Sequence, residues 1–228
     1  TFLPWQSTHV MMRMFRSHCN QIEGYFPDIP APHIVRYLHD IYVYDRGRHI
    51  DQFIDDAIMI KSLYEDANER AMALRTLVKT YFLKDEVFAS HLMISPIQHK
   101  KDQKLYGHLG KSFQKTHINR PSFNVFGRHI EFDINPKDWM LKIMRHMRIL
   151  RLLLPKWHQK EREMAKRIRQ ELIGPLTKVP SGERYKRLKQ LENIKGYREV
   201  RYAKANEVFE THEFEEPVSQ FEQKATSS

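Results

Sequence analysis

The stretch WHQKEREMAKRIRQELIGP, residues 157–175, decides the fold class. Trp157, Met164, Ile168 and Leu172 recur at helical spacing, and Arg162, Lys166 and Arg169 recur at i, i+4 and i+7 on a second face. That pattern predicts an amphipathic helix with one apolar and one basic side. Gly174-Pro175 ends it, because glycine accepts the left-handed cap and proline cannot continue the ladder.

Working upstream, Asn135-Pro136 opens a predicted helix in which Trp139, Ile143, Met147, Leu150 and Leu154 share a face. Its opposite arc carries Lys142, Arg145 and Arg148. Trp139 and Leu150 are expected to be buried. Downstream, a helical pair is expected over Glu183 to Asn193 and Tyr197 to Glu210. Further back, helices are predicted over His33 to Tyr44, over His49 to Asp66, after a cap at Asn68, and over Asp85 to Met93, the last ending before Ser95-Pro96. Between them, His129 to Ile134 alternates polar and apolar residues, the period of a half-buried strand.

The expected fold is therefore mainly α: a helical domain over residues 33–210 with one small β-hairpin inserted near 118–135. Arms are expected at both ends. Pro4, Pro27, Pro30 and Pro32 punctuate residues 1–32, which read as an extended N-terminal arm. Residues 211–228 read as an acidic, flexible tail.

Charge is distributed unevenly. The chain carries 38 Lys+Arg against 28 Asp+Glu, a net of +10. Residues 138–205 alone hold +12, residues 1–137 hold +3 and residues 206–228 hold −5. A basic segment followed by an acidic end points to a polyanion or an acidic partner at the former and a basic partner at the latter. On this reading Lys142, Arg145, Arg148, Arg162, Lys166 and Arg169 are the candidate nucleic-acid contacts, gripping phosphates. Tyr185 and Tyr202 are candidates for stacking on bases; Trp139 and Trp157, on apolar stripes, are assigned to the core.

Other chemistry is poorly supplied. The 8 glycines form no phosphate-cradling loop. One cysteine, Cys19, excludes an internal disulfide and an all-cysteine zinc or iron–sulfur site. No stretch approaches the roughly 20 apolar residues of a spanning helix. His33, His39 and Asp40 contain a His-Asp dipeptide without the wider ligand spacing of a phosphohydrolase. His129, Glu131 and Asp133 would share a strand face and read as its polar solvent side. His9, His18 and Cys19 offer a thiol–imidazole pair with no visible scaffold. The expectation is no catalytic residue, no metal and no cofactor.

An ordered series of short motifs adds a resemblance. Leu83-Lys84-Asp85-Glu86, the 118–136 segment, Trp139-Met140-Leu141, Arg162 to Ile173, and Ile194-Lys195-Gly196-Tyr197 with Val200-Arg201 resemble the helical region of unknown role in bacterial indolepyruvate ferredoxin oxidoreductases. The similarity covers about residues 42–210. Arg198-Glu199 replace the small residue and histidine usual there. The parent chemistry, which uses thiamine diphosphate and iron–sulfur clusters in other domains, finds neither cysteines nor cofactor segments in this chain. The resemblance implies a helical module detached from its enzyme and reused as a scaffold, or one subunit of a split enzyme.

The functional expectation is a non-catalytic structural subunit of a large mitochondrial assembly, foremost a mitochondrial ribosomal protein contacting rRNA and neighbouring proteins. A basic, cysteine-poor chain that begins at Thr1 rather than Met suits a processed protein of the mitochondrial matrix. The rivals are an accessory subunit of a respiratory complex or ATP synthase, and a subunit of a split 2-oxoacid oxidoreductase.

Overall fold

The computed structural model describes residues 8–83, 85–106, 122–125, 128–131, 138–153, 158–195 and 199–211. The chain is mainly α-helical, as its periodicity predicts. The described residues fall into two compact units rather than the single domain expected over 33–210. Of the described residues, 8–83 and 160–211 belong to the first and 85–159 to the second.

In the first unit, α1 (Thr8–Tyr25), α2 (Ala31–Asp45), α3 (Ile50–Leu63) and α4 (Ala67–Val78) are followed after the insertion by α9 (Gln159–Ile173), α10 (Ser181–Glu192) and α11 (Glu199–Phe209). Their apolar faces share one core that includes Phe26, Ile41, Phe53, Leu74, Leu77 and Leu188. Met164, Ile168 and Leu172 of the predicted α9 stripe are all in it. Burying each such side chain contributes roughly 1.5–3 kcal/mol against conformational entropy.

The extended arm expected over 1–32 is corrected by α1. Pro4 and Pro27 bracket a run with no proline, long enough for this 18-residue helix. Phe15, Cys19, Ile22 and Phe26 lie at i, i+4, i+7 and i+11, and the last three are buried. Pro30 and Pro32 do not interrupt a helix either. They occupy the cap and first turn of α2, where a missing N–H costs nothing. That helix ends at Arg46 and Gly47, both in the left-handed region at φ 62° and 77°. The predicted cap at Asn68 is also corrected: Asp66 caps α4, its carboxylate accepting from the Glu69 amide at 2.8 Å.

The second unit contains α5 (Glu86–Met93), α6 (Pro96–Tyr106), β1 (Ser122–Val125), β2 (Arg128–Glu131), α7 (Asp138–Met144) and α8 (Leu150–Leu153). Strands β1 and β2 pair antiparallel, with Phe123 opposite Ile130. Helix α5 ends before Ser95-Pro96 as expected, and Ser95 opens α6, its hydroxyl accepting from the Gln98 amide at 3.2 Å. Asp85 caps α5 by accepting from the Phe88 amide at 2.8 Å.

The continuous helix expected from Pro136 to Leu154 is corrected twice. Among the described residues it is two short helices joined by turns, and the buried side chain is Leu141. Trp139 is 59% exposed, and Ile143 and Met147 are exposed with it. The periodicity correctly placed these residues on one face. It did not say which face meets α5. The side chains of Leu150 and Leu154 lie outside the described residues, as does the expected C-terminal arm beyond Thr211. No described helix is long and apolar enough to cross a membrane.

Candidate nucleic-acid interface

The six candidate cations divide between the units. Lys142, Arg145 and Arg148 belong to the second, and Arg162, Lys166 and Arg169 to the first. Lys142 and Lys166 are exposed; the four arginines are half-buried.

Arg162 and Arg169 line a cleft of about 210 Å³ in the first unit, together with Tyr44, His49, Gln52 and Tyr81. Helix α9 presents the two arginines two turns apart, and α3 with its preceding turn supplies His49 and Gln52. Arg169 is fixed in place. Its guanidinium lies 4.2 Å from the Tyr81 ring centroid and donates to the Thr80 carbonyl at 3.2 Å. Asp56 accepts the Tyr81 hydroxyl proton at 2.6 Å and stands 3.8 Å from Arg169 Nε. Burial, and then this hydrogen bond to Asp56, push the Tyr81 phenol well above the ordinary tyrosine range. Arg169 is thus part of the frame of the cleft.

Two larger cavities have the wrong chemistry for phosphate. One of about 400 Å³ is lined by Glu171, Glu183 and Glu210 beside Arg187. Another of about 500 Å³ is lined by Asp66, Glu69 and Arg75. Volume alone would have selected either. The charge that a polyanion requires selects the smallest of the three.

Four arginines of the basic segment turn inward onto carboxylates. Arg184 Nε donates to the buried Glu69 at 2.7 Å, and Arg187 Nε to Glu171 at 2.5 Å. Arg201 pairs with Glu161 where both are buried. Arg151 holds the buried Asp85 through two bonds of 2.5 and 2.9 Å. The planar guanidinium suits such carboxylate pairs, whereas the strongly hydrated ammonium does not. Accordingly Lys178, Lys186, Lys189, Lys195 and Lys204 are all exposed.

The aromatic assignments change. Tyr185 is exposed, with Lys189 Nζ 5.3 Å from its ring centroid, and remains available for stacking. Tyr202 is buried and belongs to the core, while Trp139 leaves the core for the surface. Trp157 lies outside the described residues. Tyr44, His49 and Tyr81 were not singled out from sequence. They share the cleft with arginines 81 to 125 positions away, and no local motif announces that.

The other clusters resolve into local pairs. His39 Nδ1 stands 3.4 Å from its neighbour Asp40, and His33 is exposed. His18 Nδ1 bonds the Tyr42 hydroxyl at 2.7 Å. Cys19 is buried, which raises its thiol pKa. The side chains of His9, His129, Glu131 and Asp133 lie outside the described residues. Among the described residues no group of three or more His, Cys, Asp or Glu side chains is placed to hold a metal ion.

No protein-family model, curated protein or solved structure is significantly similar to this chain.

Proposed function

We propose that this chain is a non-catalytic structural subunit of a large mitochondrial assembly, a ribosomal protein of the matrix whose basic segment contacts rRNA. One observation carries the reading. Arg151, Arg184, Arg187 and Arg201 are turned onto carboxylates, while Lys142, Lys166, Lys178, Lys186, Lys189, Lys195 and Lys204 of the same segment stand in solvent. The segment's surplus of +12 is therefore displayed mainly as exposed ammonium groups. These neutralise phosphates as point charges without sequence preference, which suits a protein positioned on a folded RNA. Lys142, Lys166 and Arg162 are the contacts favoured by exposure and place. Arg169 serves by framing the cleft that Arg162 lines. The non-catalytic role is supported by the buried carboxylates Asp85, Glu69 and Glu161, each held by an arginine that carries its charge.

Sedimentation of the native protein in mitochondrial extract tests this. The expected result is co-migration with ribosomal particles and release after nuclease treatment. Nuclease-resistant migration with a respiratory complex or ATP synthase would replace this reading with that rival.

A further inference from the structure

The cleft of about 210 Å³ in the first unit is smaller than the roughly 300–1,000 Å³ of sites for drug-sized ligands, so it takes a single chemical group and not a whole cofactor. That group must be an anion. None of the residues lining the cleft is acidic, whereas Arg162, Arg169, His49 and Gln52 line it together. Arg162, Ala165 and Arg169 recur at i, i+3 and i+7 along α9, and the small Ala165 between the two arginines leaves room that a longer side chain would fill.

The donors are held from behind. Arg169 uses Nε on the Thr80 hydroxyl at 3.4 Å and Nη2 on the Thr80 carbonyl at 3.2 Å while lying over the Tyr81 ring. Its Nη1, which carries two N–H groups, has no partner among the described residues. His49 is fixed in the same manner: Nδ1 bonds Asp45, whose other carboxylate oxygen accepts from the Arg48 amide at 2.9 Å. Nε2 is then the ring nitrogen open to a ligand. The Gln52 side-chain amide has no partner among the described residues either, and both His49 and Gln52 are exposed. Two carboxylates stand behind these donors, and both are engaged: Asp45 by His49, and Asp56 by the Tyr81 hydroxyl at 2.6 Å. Neither lines the cleft.

The donor set decides which anion. Donors come from α9 and from α3 with its preceding turn, and guanidinium groups match phosphate oxygens in geometry as well as charge. A phosphodiester within a strand offers two unesterified oxygens and must lead its chain out of the cleft on both sides. A phosphate monoester offers three and leads out on one. We propose that this cleft binds the phosphate group of a phosphate monoester, carried by a small molecule such as a nucleoside monophosphate or by the end of an RNA strand. The inference goes beyond the ribosomal reading: it shares Arg162 and Arg169 with that reading and needs none of its lysines.

Phosphorus NMR and calorimetric titrations of the full chain at constant ionic strength test it. The probes are inorganic phosphate, adenosine monophosphate, and an RNA hexanucleotide ending in either a phosphate or a hydroxyl. Inorganic phosphate should bind at one saturable site. Its displacement by adenosine monophosphate alone identifies a small molecule as the carrier; stronger displacement by the phosphate-ended hexanucleotide identifies an RNA end. H49A/Q52A, at exposed positions, should weaken phosphate binding roughly tenfold, the worth of about one charge-assisted hydrogen bond, and R162Q by a similar factor. K100Q/K101Q, which removes two exposed charges from α6, should leave it unchanged. No saturable binding, displacement by neither monoester, equal displacement by the hydroxyl-ended hexanucleotide, or equal weakening by K100Q/K101Q would each overturn the proposal. If R162Q loses helical circular dichroism, H49A/Q52A decides. Co-sedimentation with ribosomal particles has no bearing on these titrations, so the two readings fail separately.

Discussion

Glu69 and Arg184, 115 positions apart, meet where α4 packs on α10: Arg184 Nε donates to one carboxylate oxygen at 2.7 Å and the Ser181 hydroxyl to the other at 2.7 Å. Glu69 is only 2% exposed. Arg184 also lies over the ring of Tyr64, 5.6 Å from its centroid. The pair fixes how the two halves of the first unit's sequence meet.

Removing Arg184 strands a buried carboxylate. Arg184→Ala is expected to lower unfolding free energy by about 3–5 kcal/mol, and Glu69→Ala by a similar amount. The double variant should cost clearly less than the sum, because each single change leaves the other charge uncompensated. Urea denaturation of the four proteins measures this. Strict additivity would show that the two groups do not interact.

Alkaline stability follows from Tyr42, Tyr64 and Tyr81. Burial is the first cause that raises all three phenols above the usual tyrosine value. The folded protein then keeps protons that the unfolded chain loses above about pH 10. Stability should be unaffected by these groups below that pH and fall progressively above it. In an absorbance titration of phenolate, the three should ionise together with loss of helical signal. Ionisation in a protein that keeps its helices would contradict their burial.

Much of this frame was legible in the sequence. The α9 stripe of Met164, Ile168 and Leu172 is buried as its spacing indicated, because a helix with a basic second face has one way to enter a core. Helix α1 was missed because prolines at 4, 27, 30 and 32 read as interruptions when they mark its flanks and the start of α2. The site was legible in composition and not in geometry. Charge counting found the basic segment. It could not separate arginines paired with carboxylates from lysines facing solvent, since Glu69, Asp85 and Glu161 lie 40 to 115 positions from their partners.

Acid sensitivity should centre on His18. Burial lowers its pKa below 6.5, opposed by Asp51 at 3.7 Å. The unfolded chain therefore binds a proton near pH 6.5 that the folded state resists. Stability falls as pH drops through that region, by at most about 1.4 kcal/mol per pH unit from this group. His18→Gln preserves a polar partner for Tyr42 and removes the titration. It should lose less stability than the parent between pH 7.5 and 5.5 in thermal melts. Equal losses would place the acid-sensitive group elsewhere.

Trp139 and Leu141 sit two residues apart on α7 with opposite fates: the first is mostly exposed and the second is fully buried. Leu141→Ala is expected to cost about 2–5 kcal/mol through lost packing and a cavity. Trp139→Ala should cost about 0.5 kcal/mol or less, as surface substitutions do. Chemical denaturation of the two variants measures both, and equal losses would contradict the opposite burial of the two side chains.

RNA binding supplies the last prediction. Each phosphate neutralised adds about 0.7 to the slope of log affinity against log salt on a single strand. K142E and K166E combined should weaken association with rRNA and flatten that slope by about 1.4, with the melting temperature nearly unchanged, since both lysines are solvent-exposed. Arg169→Glu should behave differently. It removes the stack on Tyr81 and the bond to the Thr80 carbonyl, and it brings a carboxylate toward Asp56. Its loss of binding should therefore arrive with a loss of stability, whereas the double variant's should not. An unchanged salt slope in the folded double variant would remove these residues from the RNA interface and return the assembly question to the respiratory-complex rival.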